Sequence, residues 1–157
     1  MNDLSSGVAA LNPLLADWNT SYGLPPFAAV QAAHFAPAFE VAMAAHRAEL
    51  DAIAQQSAPA TFDNTLAALD QSGRLLERIS LLFHNLTASE TSPALQAAQL
   101  ELAPRLAAHE NALYMHAGLF QRIDSLHRQA DTLALTPEQL RLLQRVHLDF
   151  VRAGAQL

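Results

Sequence analysis

The sequence predicts an all-α protein, a bundle of about four to five helices behind an extended, proline-containing N-terminal arm. Three observations predict it. Alanine, leucine, arginine, glutamate and glutamine are plentiful, glycine numbers only 5, and β-branched residues are few, which is a helix-forming composition. No alternating apolar–polar run is long enough to insist on a strand. Apolar residues instead recur at three- and four-residue steps behind recognisable helix starts. With 51% hydrophobic and 15% charged residues among 157, the chain has the composition of a packed domain and not of a disordered segment.

Residues 1–34 are the least regular. Asn12-Pro13, Tyr22-Gly23 and Leu24-Pro25-Pro26-Phe27 punctuate them, and adjacent prolines favour an extended path. Trp18, Tyr22 and Phe27 are expected to pin this arm onto the helices rather than to face a ligand. Residues 35–157 form the helical region, and the two parts together make one N-terminal domain, or part of one. A first helix is predicted over 35–56, with Pro37 harmless in its first turn. Phe35, Phe39, Met43, His46, Leu50 and Ile53 share one face of it.

After the connector Ser57-Ala58-Pro59-Ala60, Thr61 is a good N-cap, with Asp63 near the positive end of the helix dipole. The seam Phe62, Leu66, Leu69, Gly73, Leu76, Ile79, Phe83, Leu86 keeps its phase through Gly73. Ser72-Gly73 taken alone reads as a stop, but the unbroken phase predicts a continuous helix in which Gly73 admits a close neighbour. Ser92 and Pro93 suit N-cap and N1 of a third helix reaching about Met115, with a kink or local break expected at Pro104. A fourth segment is expected over 117–129. The last start, Thr136-Pro137-Glu138-Gln139, combines an N-cap, an N1 proline and a capping-box glutamine. Its helix shows Leu140, Leu143, His147 and Phe150 on one face and fades near Gly154.

Several functions are disfavoured by the residues alone. There is no cysteine, so disulfides, thiol catalysis and cysteine-ligated metals are excluded. A formal charge of −6, with all nine basic residues arginine, disfavours nucleic acid or an anionic membrane as partner. The N-terminus has an acid where a secretory signal carries basic residues, and no apolar run approaches a membrane span. A cytoplasmic protein is therefore expected. The abrupt apolar end at Ala153-Gly154-Ala155-Gln156-Leu157 reads as an engineered or a partial end.

Seven histidines raise the question of a metal. No His-x-x-x-His pair exists, and His109 and His116 stand about 10 Å apart along an ideal helix. His109-Glu110 begins like the zinc motif His-Glu-x-x-His, but Leu113 stands where the second histidine is needed. His46 and His147 lie on apolar stripes and are expected to be buried or half-buried, bonded to backbone. His34, His84 and His127 read as boundary or surface residues. The carboxylate pairs Asp63 with Asp70 and Glu101 with Glu110 read as solvated helix faces. No phosphate loop or nucleophile elbow occurs. No catalytic, cofactor-binding or metal-binding residue is therefore assigned, and no cofactor is expected in this chain.

A set of strings in order nevertheless resembles one family. They are Asn12-Pro13-Leu14-Leu15, Leu24-Pro25-Pro26-Phe27, His34-Phe35-x-Pro37-Ala38-Phe39, Thr61-Phe62-x-Asn64-Thr65, Ser72-Gly73, Phe83-His84-Asn85-Leu86 and Leu119-Phe120. Thr136-Pro137-Glu138-Gln139-x-x-Leu142-Leu143 and Phe150-Val151-Arg152-Ala153-Gly154-Ala155 complete it. Together they resemble the N-terminal helical part of the thimet-oligopeptidase-like zinc metallopeptidases, within which the wording is most similar to the bacterial peptidyl-dipeptidase (Dcp) branch.

That resemblance implies a parent several times longer, a hydrolase of short peptides that releases C-terminal dipeptides. Its zinc and its His-Glu-x-x-His helix would lie beyond residue 157. No family catalytic residue therefore maps onto this sequence. The implied role here is a non-catalytic channel wall that restricts substrate size. The implied partners are the C-terminal catalytic part of the same polypeptide and, in the intact enzyme, short peptides. A surface made to meet that catalytic part is expected to drive self-association of the short chain. Two other readings stand beside this one. One is an autonomous helical protein-interaction module without activity. The other is a bundle holding a small ligand or metal through histidines, which needs facing ligands from two helices.

Overall fold

The computed structural model describes residues 12–156. Among them there is no strand, and five long helices account for most of the chain. They are α1 (Phe35–Ala54), α3 (Arg74–Ser89), α4 (Pro93–Tyr114), α5 (Ala117–Arg128) and α6 (Pro137–Ala153), with a short α2 (Ala68–Gln71) that continues a π-helical turn at Phe62–Ala67. The all-α expectation holds, and the helix starts hold with it. Thr61 accepts the Asn64 N–H, and the Asn64 side chain accepts back from the Thr61 N–H at 2.8 Å. Ser92 Oγ accepts Leu95 N–H, and Thr136 and Gln139 form the reciprocal capping box. Gly154, left-handed at φ 101°, caps the end of α6.

The chain packs as two compact units. The first takes the described residues up to His46 together with Gly73–Arg105. Its interior holds Phe35, Phe39 and Phe83, with ring centroids 4.7 Å apart for Phe35 and Phe83 and 5.4 Å for Phe39 and Phe83. Buried Leu14, Ala38, Met43, Ile79, Leu82 and Leu102 belong to the same unit.

The arm is held differently from what its aromatic residues suggest. Tyr22 is 99% exposed and Phe27 53%, so neither pins it. Leu14 does, fully buried, with its N–H bonded to Asn12 Oδ1 while Asn12 Nδ2 donates to His34 O. Arg78 completes the clasp. Its guanidinium donates to the carbonyls of Leu14 and Ala16 and lies 4.4 Å above the Trp18 ring. Of the three aromatic residues, only Trp18 has the expected anchoring role.

The seam through Gly73 is not one continuous helix. Ser72 is extended (φ −71°, ψ 157°) and Gly73 is left-handed (φ 71°). The chain therefore stops at Gln71 and restarts at Arg74, because a left-handed residue cannot sit inside a right-handed helix. The close approach attributed to Gly73 is nonetheless real. A Cβ there would lie 3.0 Å from the His46 imidazole. Pro104 brings no break either, since α4 runs helical through it. Proline leaves the carbonyl four residues back without its helical donor, and Leu100 is 79% exposed. Water can therefore serve that carbonyl.

The second unit takes Arg47–Ser72 and the described residues from Leu106 onward. Its core is Leu50, Ile53, Leu66, Leu119, Ile123, Leu126, Leu143 and Phe150, with α5 packed against α6.

Candidate functional site

A dense polar construction lies in the second unit, around Arg122. This α5 residue is 9% exposed, yet no carboxylate pairs with it among the described residues. Neutral oxygens solvate its charge instead. Nε donates to Thr65 Oγ1 at 3.3 Å, and one terminal nitrogen donates to the Gln56 and Ala58 carbonyls at 3.1 and 3.0 Å. The other donates to Asn64 Oδ1 at 2.9 Å. Asn64 in turn donates to Pro59 O, and Gln56 Nε2 donates to Asn64 O. The planar guanidinium fork can serve this many acceptors at once, which an ammonium cannot. The Thr61-Phe62-Asp63-Asn64-Thr65 string is thereby explained: Thr61 and Asn64 start the helix, and Asn64 and Thr65 seat the arginine. The cluster can fix the 56–65 connector in place, but it offers no nucleophile and no proton of ready acidity.

A second cluster joins α5 to α6. His147 Nε2 lies 3.1 Å from Asp124 Oδ1, and Arg128 pairs with the other carboxylate oxygen at 2.6 Å. The His147 ring stacks on His127 at 3.9 Å and on Phe120 at 5.7 Å. His147 is half-buried as expected, but it bonds a carboxylate rather than backbone. Asp124 lies 23 residues earlier in the chain, and nothing in the local pattern announces the pair.

Three further histidines are structural in position. His34 Nδ1 accepts Gln31 N–H, and His84 Nδ1 donates to the Ser80 carbonyl. His116 caps α5. Its Nδ1 accepts the Leu119 N–H, which leaves Nε2–H to be donated to Asp51 Oδ1 at 3.0 Å. His109 and His116 do line one hollow of about 100 Å³ together with Arg47, Leu50, Asp51, Ala112 and Leu113. Leu113, at the position of the missing second motif histidine, is part of that wall. Among the described residues no group of three or more His, Cys, Asp or Glu is placed to hold a metal ion. Asp63, Asp70, Glu101 and Glu110 are all exposed.

The environment of Tyr114 clearly shifts its ionisation. Burial first, then the carboxylates of Asp149 and Glu110, push its phenol above the usual range, with Arg145 opposing. No helix among the described residues is long and apolar enough to cross a membrane. A larger open hollow of about 440 Å³ lies in the first unit, between Phe27, Val30 and Phe35 on one side and Asn85, Ser89 and Glu90 on the other.

Comparison with known proteins places these features in a longer context. No family model matches the chain. Dipeptidyl carboxypeptidase of Salmonella typhimurium is 40% identical over 146 residues, covering 93% of this chain and 22% of that protein. The dipeptidyl carboxypeptidase of Escherichia coli is 36% identical over 150 residues, 96% of this chain and 22% of its own length. Oligopeptidase A of Salmonella typhimurium is 29% identical over 146 residues, 93% of this chain and 21% of that one. The chain thus spans about a fifth of the length of the curated relatives it matches.

Proposed function

Over the stretch that it spans, the chain is a homologue of dipeptidyl carboxypeptidase and oligopeptidase A, the thimet-oligopeptidase-like peptidases, and from that premise we propose that it is the non-catalytic N-terminal helical part of such an enzyme. The observation that carries the reading is the coverage itself. Nearly the whole chain aligns at 40% identity, yet to only 22% of a dipeptidyl carboxypeptidase. The remaining length of such a protein is where the chemistry would reside.

The residues of this chain do not fit the zinc that such peptidases use. His34, His84, His116, His127 and His147 are engaged as helix caps, stacking partners or hydrogen-bond partners, and no three ligands converge among the described residues. No catalytic step is therefore assigned to them. What these residues can supply is shape. A rigid wall beside a catalytic centre admits short, extended peptides and excludes folded proteins. Rigidity is what the Phe35–Phe39–Phe83 cluster and the Arg122 cluster each provide within their own unit.

The test uses short blocked peptides and a longer polypeptide containing this region. Chelator-sensitive release of C-terminal dipeptides is expected from the longer protein, and none from residues 1–157 with added zinc. Release by residues 1–157 alone would refute the reading. A longer product that lacks peptidase activity when folded would favour the helical interaction module instead.

A further inference from the structure

We propose that the outward face of α6 is a docking surface for an acidic amphipathic helix in the remainder of the longer polypeptide. This rests on the functional reading above and adds to it a specific surface and the chemistry of what covers it. The helix buries Leu143 and Phe150 completely. Opposite them, Arg141, Arg145, Leu148 and Arg152 follow one another at steps of four, three and four residues, which is one face of a helix. Leu142 flanks Arg145. Leu148 is 43% exposed and Leu142 36%.

The charges on this face are what distinguish it. Arg74, Arg105 and Arg128 have carboxylate partners, while Arg78 and Arg122 are held by neutral oxygens. Arg47, Arg141, Arg145 and Arg152 make neither an ion pair nor a side-chain hydrogen bond among the described residues. Three of these four share the α6 face, in a chain where 15 acidic residues outnumber 9 arginines. An open hollow of about 310 Å³ lies on the same face, lined by Pro137, Glu138, Arg141, Leu142 and Arg145.

Guanidinium forks one turn apart match carboxylates one turn apart, and the leucines between them match an apolar stripe. Glu138 on the same face, and half-buried Asp149 beside it, interrupt the positive charge. A polyanion such as nucleic acid needs an unbroken basic stripe, whereas a helix bearing two or three carboxylates does not. The matched relatives, of which this chain covers about a fifth, leave ample length to supply such a helix.

The chain has no cysteine, so Leu148→Cys introduces a single reporter thiol. Its alkylation by N-ethylmaleimide is timed in residues 1–157 and, by mass spectrometry of the same peptide, in the longer polypeptide. The thiol is expected to react at least ~10-fold more slowly in the longer protein, and Arg141→Glu with Arg145→Glu is expected to restore the fast rate. A synthetic helix of repeating glutamate, leucine and alanine should also slow the reaction in the short chain. The same helix with lysine for glutamate should not.

Equal rates in the two proteins, or equal protection by both synthetic helices, would overturn the proposal. So would a slow rate in the short chain that rises on dilution, because the occupant would then be a second copy. A longer protein that releases dipeptides while the thiol at 148 stays fully reactive refutes this surface alone. A protected thiol in a protein without peptidase activity refutes the functional reading alone.

Discussion

Replacing Arg122 by methionine removes a buried charge that neutral oxygens alone solvate, at nearly constant volume. Four hydrogen bonds are lost, to Thr65 Oγ1, Gln56 O, Ala58 O and Asn64 Oδ1, at distances from 2.9 to 3.3 Å. Hydrogen bonds to a charged group contribute about 1.5–3 kcal/mol each, so the gross loss is roughly 6–12 kcal/mol. Against it stands the desolvation of the guanidinium, several kcal/mol, which the variant no longer suffers. The abandoned acceptors work in the other direction. The Gln56 and Ala58 carbonyls sit beside a methionine and can recover only what water reaches them. The net expectation is a destabilisation of about 3–5 kcal/mol.

For a chain of this size that corresponds to a melting temperature lowered by roughly 6–20 °C. Thermal and urea unfolding followed by circular dichroism read it directly, and Arg122→Lys separates charge from geometry. An ammonium keeps the charge but cannot reach all four oxygens, so it should recover less than half of the loss. A methionine variant within about 1 kcal/mol of the parent would refute the reasoning. It would mean that apolar packing replaces the network and that the cluster sets the register of the 56–65 connector without stabilising it.

Gly73→Ala places a Cβ at φ 71° and 3.0 Å from His46. A loss of about 1–3 kcal/mol is expected on unfolding, larger for Gly73→Leu, and a neutral or stabilising result would show that the segment can close into a continuous helix. Tyr114 should ionise above the free phenol in a 295 nm absorbance titration, because burial, Asp149 and Glu110 all oppose its charged form. Its folded pKa exceeds its unfolded one, so the unfolded chain releases the proton first and stability should fall as pH rises past about 10. Tyr114→Phe should remove that part of the alkaline loss, and an unchanged profile would count against the assignment.

Local signals were legible in the sequence because they act within a turn of helix. Thr61 with Asn64, Ser92 with Leu95 and Thr136 with Gln139 each pair residues three apart, so the helix starts could be read from residue type and order. Helical periodicity marked Leu50, Leu66, Leu143 and Phe150 as core for the same reason. The family resemblance was visible in the ordered strings as well, and the relatives bear that resemblance out.

The tertiary structure alone decided the rest. Gly73 keeps the apolar phase of its neighbours but takes a left-handed backbone, and periodicity records side-chain faces, not φ. Leu14 rather than Tyr22 or Phe27 anchors the arm, because Arg78, 64 residues away, supplies the donor that holds its carbonyl. Arg122 meets Gln56 across 66 residues and His147 meets Asp124 across 23. In these pairs a buried charge or ring finds its partner where packing brings distant segments together, and no pattern within one helical turn encodes which partner that is.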